Sequence, residues 1–222
     1  RKVVALNGTA GSLALNGTYY CYILGFNHNS SVEGNNRIHF QFGFNAASAG
    51  VHIAFVDSRY DVRTYSGSYF NMNNANDNTG GWESSRMRNT IIPTFRNCIP
   101  SDLRNVLKPV TKYTDNTGGA HDTASYVTAT EDSIFLLSEF EVFGGRTHAN
   151  STEQNYQTRY SYYSSGNSVI MYKHNSTSSI AVWWLRSVDS SDVGRFCSVS
   201  DTGIPDDSEA SQSYGFAPAF CV

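Results

Sequence analysis

Five aspartates crowd one stretch near the C-terminus: Asp189, Asp192, Asp201, Asp206 and Asp207. Clustered carboxylates are the donor type that holds a hard cation such as calcium. Their spacing is not that of an EF-hand loop, and the Ser, Gly and Thr around them suit a solvated acidic loop. The six histidines, His28, His39, His52, His121, His148 and His174, stand apart from one another and from the cysteines, so no zinc-ligand spacing arises. No Gly-x-Ser-x-Gly elbow joins a strand to a helix, and no Gly-rich loop ends in Lys. The reading is therefore of a protein with no catalytic residue, no cofactor motif and no metal site, in which a chelator leaves the fold intact.

The acidic stretch makes more sense as a displayed surface. Val188 to Ser213 is almost wholly small and polar, interrupted by Phe196-Cys197 and Val199. It lies between two apolar clamps, Trp183-Trp184-Leu185-Arg186-Ser187 and Gly215 to Val222. Aromatic and aliphatic clamps belong in a core, and a polar insert between them is held outward on a rigid frame. The candidate contact residues are Asp189, Ser190, Asp192, Gly194, Arg195, Ser198, Ser200, Asp201, Thr202, Ile204, Asp206, Asp207, Gln212 and Tyr214, with Arg195, Ile204 and Tyr214 as the larger groups. Trp184, Arg186, Phe196, Val199 and Phe220 are the expected frame. Buried after two tryptophans, Arg186 needs carboxylate or carbonyl partners, and its expected task is to pin backbone rather than to catalyse.

Bulk properties exclude some partners. The 222 residues carry a net charge of −3, so no basic field awaits nucleic acid. Only 16% of residues are charged and 14% are aromatic, with fourteen Tyr among many Ser, Gly and Asn, a composition of extracellular or virion β-rich proteins. No apolar run reaches membrane-spanning length, no signal peptide is present, and Arg1 reads as a trimmed start. Cys21, Cys98, Cys197 and Cys221 permit two disulfides in three pairings, or four buried thiols. Asn7, Asn16, Asn29, Asn150 and Asn175 lie in Asn-x-Ser/Thr frames, which matter only in a eukaryotic secretory pathway.

The elements that must carry this surface read as follows. Residues 1–18 repeat Ala-Leu-Asn-Gly-Thr, which predicts short strands with tight Asn-Gly turns in an N-terminal arm. Residues 19–222 read as one domain. Tyr19 to Gly25, Arg37 to Phe44 and Val51 to Val56 predict an antiparallel sheet, with Ile38, Phe40, Phe42 and Phe44 on one face. A polar turn falls at Asn27 to Ser31. A helix over 83–96 shares Trp82, Met87, Ile91 and Phe95 along one side and is weakened late by Pro93. A second starts at a Ser101 cap with Leu103, Val106 and Leu107 inward, a capped turn follows Ser138 and ends at Gly144-Gly145, and a third runs from Glu153 to Tyr163. Strands at 110–113, 133–137, 169–172 and 180–185 complete an α+β pattern with helices segregated against antiparallel sheet.

These residues also carry a family likeness. Trp183 to Ser187, then Phe196-Cys197-x-Val199, Gly203, and Gly215-Phe216-Ala217-Pro218-Ala219-Phe220 resemble the C-terminus of target proteins of diversity-generating retroelements. Upstream, Gly81-Trp82-Glu83-Ser84-Ser85-Arg86-Met87-Arg88, Ile99 to Leu103, Lys112-Tyr113-Thr114 and Phe135 to Ser138 are similar to a bacterial and phage domain of that type. The resemblance implies a C-type-lectin-like fold of the formylglycine-generating-enzyme branch over 19–222, with a variable region at about 183–222. In that family Asn codons are diversified to codons that cannot encode Lys, Glu, Gln, Trp or Met, and Val188 to Ser208 contains none of these. Glu209 and Gln212 depart from that pattern. The calcium-lectin signatures Glu-Pro-Asn and Trp-Asn-Asp are absent, and Cys197 and Cys221 sit on the frame. The implied function is receptor binding by a hypervariable surface, foremost in a phage tail, where the chain would form a homo-oligomer, a trimer in a tail fibre. The implied partner is a protein or glycan on a bacterial cell surface, without membrane insertion. The alternatives are a bacterial surface adhesin, an enzyme related to formylglycine-generating enzyme, and a structural virion subunit.

Overall fold

A computed structural model describes residues 2–44, 51–63 and 67–222. The chain is mixed α+β, with mostly antiparallel sheets and a few short helices. The strands are β1 (Lys2–Ala10), β2 (Leu13–Phe26), β3 (Ile38–Phe44), β4 (Ile53–Ala54), β5 (Val110–Asp115), β6 (Val127–Asp132), β7 (Ile134–Phe135), β8 (Met171–Lys173), β9 (Ser176–Ala181), β10 (Trp183–Val188), β11 (Arg195–Val199), β12 (Pro205–Glu209) and β13 (Ala219–Cys221). The helices are α1 (Ser30–Glu33), α2 (Gly81–Ser84), α3 (Ile92–Cys98), α4 (Ser101–Arg104), α5 (Glu139–Phe143) and α6 (Ser161–Ser164).

The main sheet runs β1-β2-β3-β13-β7, so the last strand of the chain is inserted between an early one and a middle one. Phe220 faces Phe40 on β3 and Ile134 on β7. Smaller sheets β10-β11-β12 and β4-β8-β9 and the hairpin β5-β6 complete the fold, with β4 and β8 parallel.

Residues 2–18 are not a separate arm. They form most of the β1-β2 hairpin at the edge of the main sheet, with Val4, Leu6, Ala10 and Leu15 buried at strand period. The turn is not at either Asn-Gly: Asn7 and Asn16 face each other in mid-strand, and the chain reverses at Gly11-Ser12. Gly11 has φ 58, and a Cβ there would meet the Ser68 carbonyl at 2.3 Å. That close approach, which only glycine permits, decides the turn.

Trp82, Met87, Ile91 and Phe95 do share one side, all with no exposure. They are carried by α2, a π-helical turn at Met87–Ile91 and α3 rather than by one helix. Pro93 stands just past the junction where the π-helical turn runs without a break into α3, not in a last turn. Ser101 opens α4 without capping it, and Val106 is 51% exposed, so only Leu103 is fully inward. The segment from 153 to 163 splits into a 3-10 turn, Ser151–Asn155, and α6. The polar turn is present at residues 27–29, with Asn27 and Asn29 left-handed, and runs into α1, whose Glu33 is buried. By contrast, α5 begins with a full Ser138/Glu141 capping box and ends at a left-handed Gly144. On β3, Phe40 and Phe42 are buried, but so are His39 and Gln41 on the opposite face; the Phe44 side chain lies outside the described residues. A central strand covered on both sides buries its polar alternates too. All four cysteines are buried thiols.

Candidate ligand-binding face

The frame of the face is β10, every residue of which is buried. Its tryptophans satisfy their indole N–H groups internally, Trp183 to the Val169 carbonyl at 3.0 Å and Trp184 to the Phe70 carbonyl at 2.8 Å. Arg186 is fully buried and has the partners expected of it. It donates to Thr114 Oγ1 at 2.9 Å, to the Leu136 carbonyl at 3.0 Å and to both oxygens of Glu141 at 2.5 and 3.1 Å. Its backbone N–H donates to the Leu137 carbonyl, which draws the strand away from β11 between Trp184 and Val188.

Behind Arg186 lies a buried ionic layer. Lys112 donates to Glu33 at 2.7 Å, to Glu141 at 2.8 Å and to Tyr160 at 3.2 Å. Burial alone would raise the Glu141 carboxyl, but Arg186 and Lys112 hold it well below the usual range. Burial pushes Glu153 up to about 7 and drives His28 and His39 down to about 3, with Lys112 adding to the fall of both imidazoles. This layer is sealed from solvent and serves the frame.

The insert is only partly outward. Ser190, Asp192, Arg195, Asp201, Thr202, Ile204, Asp206, Asp207, Gln212 and Tyr214 reach the surface wholly or in part. Asp189, Gly194, Ser198 and Ser200 do not; each is buried and corrects the expectation that it would be displayed. For Ser198 the reason is the place of β11 in the middle of its sheet: Phe196, Cys197, Ser198 and Val199 are all fully buried, and on this strand Arg195 alone emerges. Ser198 Oγ meets Ser208 Oγ at 3.1 Å across the β11-β12 pair. Asp189 accepts from the Ser191 backbone and hydroxyl, and Ser200 Oγ accepts from the backbone N–H of Thr202 and Ile204. Gly194 lies against the Asn76 carbonyl, 3.0 Å from where a Cβ would stand.

Display falls instead to the edge strand β12 and to the turns. Arg195 reaches Asp207 at 2.5 Å and Asp192 at 3.6 Å, and His148 Nδ1 lies 3.1 Å from Asp207. A second cluster forms around Tyr214, whose hydroxyl pairs with Asp61 at 3.2 Å and whose ring meets Tyr60 at 5.7 Å and Trp184 at 5.4 Å. Burial and then Asp61 raise the Tyr214 phenol above its ordinary value. Lys173 Nζ stands 3.9 Å from the Tyr60 ring centre. Ile204 is 58% exposed at a turn fixed by Gly203, where φ is 80 and a Cβ would come within 2.8 Å of Ile170. Beside it, Phe143, Arg159, Val169, Ile170, Thr202 and Gly203 line a cleft of about 350 Å³.

Several contributors lie far outside the expected region. Asn78 donates to the carbonyls of Asp192 at 2.7 Å and Arg195 at 3.0 Å, while its own oxygen accepts from Gly119 at 2.7 Å. Asn76 bonds Glu209, and so does Arg63. These residues, with Tyr60, Asp61 and His148, were invisible in a linear reading. The one available sign was the Asn-rich loop from Asn71 to Gly81, whose side chains can replace backbone partners.

Residues 58–222 match a protein family described only as a domain of unknown function, DUF6273. The chain belongs to that family. The DUF6273 match takes in the whole of the β10-β11-β12 face, Tyr60, Asp61, Arg63 and Asn78, and leaves β1 to β4 outside. No curated protein and no solved structure matches the chain. Among the described residues of this DUF6273 protein, no helix is long and apolar enough to cross a membrane.

Proposed function

We propose that the chain is a non-catalytic binding protein with a C-type-lectin-like fold. It presents a hypervariable C-terminal face, as a target protein of a diversity-generating retroelement does. The setting we favour is a phage tail, with the protein as a receptor-binding subunit, within a homo-oligomer, that meets a protein or glycan on a bacterial surface; a bacterial surface adhesin is the alternative within the same reading. The observation that carries this is the contrast between a frame with no exposure at Trp183, Trp184, Arg186, Phe196, Val199 and Phe220 and the small polar groups around it. Arg195, Ile204 and Tyr214 are the side chains large enough to act as anchors, since a few residues carry most of an interface's energy.

The test is a combinatorial library at Asp192, Asp201, Thr202, Ile204, Asp206 and Gln212, scored separately for folding and for binding to target cells. The expected outcome is that most members fold and lose or redirect binding. Members that mostly unfold, or that fold and all keep the original target, would remove the basis for the reading.

A further inference from the structure

We propose that the cleft beside Ile204 binds a carboxylate-bearing sugar of the uronic-acid class, with Arg159 as the group that holds the carboxylate. The cleft encloses about 350 Å³, a volume within the range of small-ligand sites. It lies between the end of α5, α6, the segment 166–170 and the Gly203 turn.

Arg159 is half-buried on its wall and held by its stem. Its Nε donates to the Val142 carbonyl at 2.9 Å. Its Cδ lies 3.0 Å from where a Cβ would stand on Gly144, whose φ is 77, so the side chain passes close over a backbone that only glycine allows. Among the described residues no carboxylate pairs with Arg159, and nothing accepts from its Nη1 and Nη2. What remains free is the planar fork that grips a carboxylate through two parallel hydrogen bonds. No acidic residue lines the cleft to compete for it, and no second cation is present to suit a doubly charged phosphate.

The other walls fit the body of a sugar. Val169 and Ile170 offer carbon to a ring face. The first is anchored where its carbonyl accepts from Trp183 Nε1 at 3.0 Å, and the second lies flush under Gly203, where a Cβ would come within 2.8 Å of it. Tyr163 also offers carbon, because its hydroxyl turns inward to Gln41 Oε1 at 2.6 Å. At the rim, Asn167 spends its Nδ2 on the Tyr162 carbonyl, which leaves its Oδ1 to accept. Ser168 Oγ accepts from the Ile170 N–H, which leaves its hydroxyl hydrogen to donate. An acceptor and a donor opposite an arginine match ring hydroxyls opposite a carboxylate. A free amino acid would bring an ammonium, for which the lining holds no acid.

Arg159, Val169 and Ile170 precede the stretch expected to vary, whereas Thr202 and Gly203 lie within it. A constant anchor under a changeable rim would keep the acidic class and alter which sugar is accepted; in this respect the inference rests on the display reading. The test does not depend on target cells, so the two can fail separately. The isolated chain, isotope-labelled, is titrated with sodium D-glucuronate, with D-glucose and with sodium acetate, and its backbone amides are followed by NMR. Glucuronate is expected to saturate and to shift the amides of 166–170 and 202–203, with glucose and acetate each weaker by about tenfold or more. Arg159→Gln should weaken glucuronate by a similar factor, and Arg159→Lys, which keeps the charge without the fork, should fall between. Arg96→Gln on α3, outside the cleft, should change nothing. Ser168→Asp retains an acceptor for the Ile170 N–H but sets a like charge at the rim, and should abolish binding. Because Ser168 is exposed, that variant decides the matter even if Arg159→Gln fails to fold. The proposal is overturned by glucuronate that does not saturate, by glucose or acetate binding equally well, or by undiminished binding in Ser168→Asp.

Discussion

Two arginine–carboxylate pairs of the same 2.5 Å separation stand in opposite surroundings, Arg186 with Glu141 beneath the frame and Arg195 with Asp207 on the face. Neither side chain of the first pair has any exposure, whereas Arg195 is 42% exposed. Arg186 spends its guanidinium on Glu141, Leu136 and Thr114, so each of its bonds has replaced water. Arg195 still faces solvent, which screens its pairs with Asp207 and Asp192. Identical chemistry thus serves rigidity in one place and leaves a replaceable contact in the other. A surface can vary only where the energy of the fold does not pass through it.

The largest effect should come from Arg186→Ala, which leaves the buried Glu141 with only the Lys112 ammonium, itself shared with Glu33, to offset its charge. A loss of about 3–5 kcal/mol is expected by urea melting. A loss under about 1 kcal/mol would mean that the two pairs are equivalent. Trp183→Ala should cost about 3–5 kcal/mol through the cavity it leaves, and unchanged melting would show that the frame does not depend on it.

Next in size is the pH response of the buried layer. The folded-state value of Glu153 is raised from 4.5 to about 7. Its contribution is therefore present below pH 4.5 and lost as pH rises through 7. His28 and His39 are lowered from 6.5 to about 3, so their contribution is present above pH 6.5 and lost as pH falls toward 3. The two limbs oppose each other between 4.5 and 6.5. Glu153→Gln should remove only the loss on rising pH, and its stability relative to the original chain should improve from pH 4.5 to 7. A constant difference between the two proteins across that range would count against a neutral Glu153.

The smallest effects are expected on the face. Arg195→Ala should cost less than about 1 kcal/mol, and each of Asp192→Ser, Asp201→Ser and Thr202→Ser about 0.5 kcal/mol or less. Ser198→Asp sharpens the contrast: it lies in the same stretch but is fully buried, and an ionised group there should destabilise well beyond those values. If Ser198→Asp melts like Asp201→Ser, β11 is not a covered strand.

The features legible in the sequence were those set by neighbours along the chain. The Ser138/Glu141 capping box with its Gly144 stop is local hydrogen-bond chemistry, and it stands as read. Trp183, Trp184, Phe196, Val199 and Phe220 were placed inward by their size and apolarity, and Arg186 by its need for partners between them. What lay beyond reach depends on which distant segments meet. The Asn-Gly signals at Asn7 and Asn16 gave way to a turn at Gly11 because α3 and the Ser68 carbonyl press on that point. Ser198 and Ser200 look like display residues until β12 and the loop at Thr202 cover them. Asn78 clamps Asp192 and Arg195 across more than a hundred residues, and His148 reaches Asp189 and Asp207 from the loop after α5. Residue type and spacing decide what a segment can bury; only the packed chain decides which polar groups find one another, because those pairings are selected by the cost of leaving any of them buried and alone.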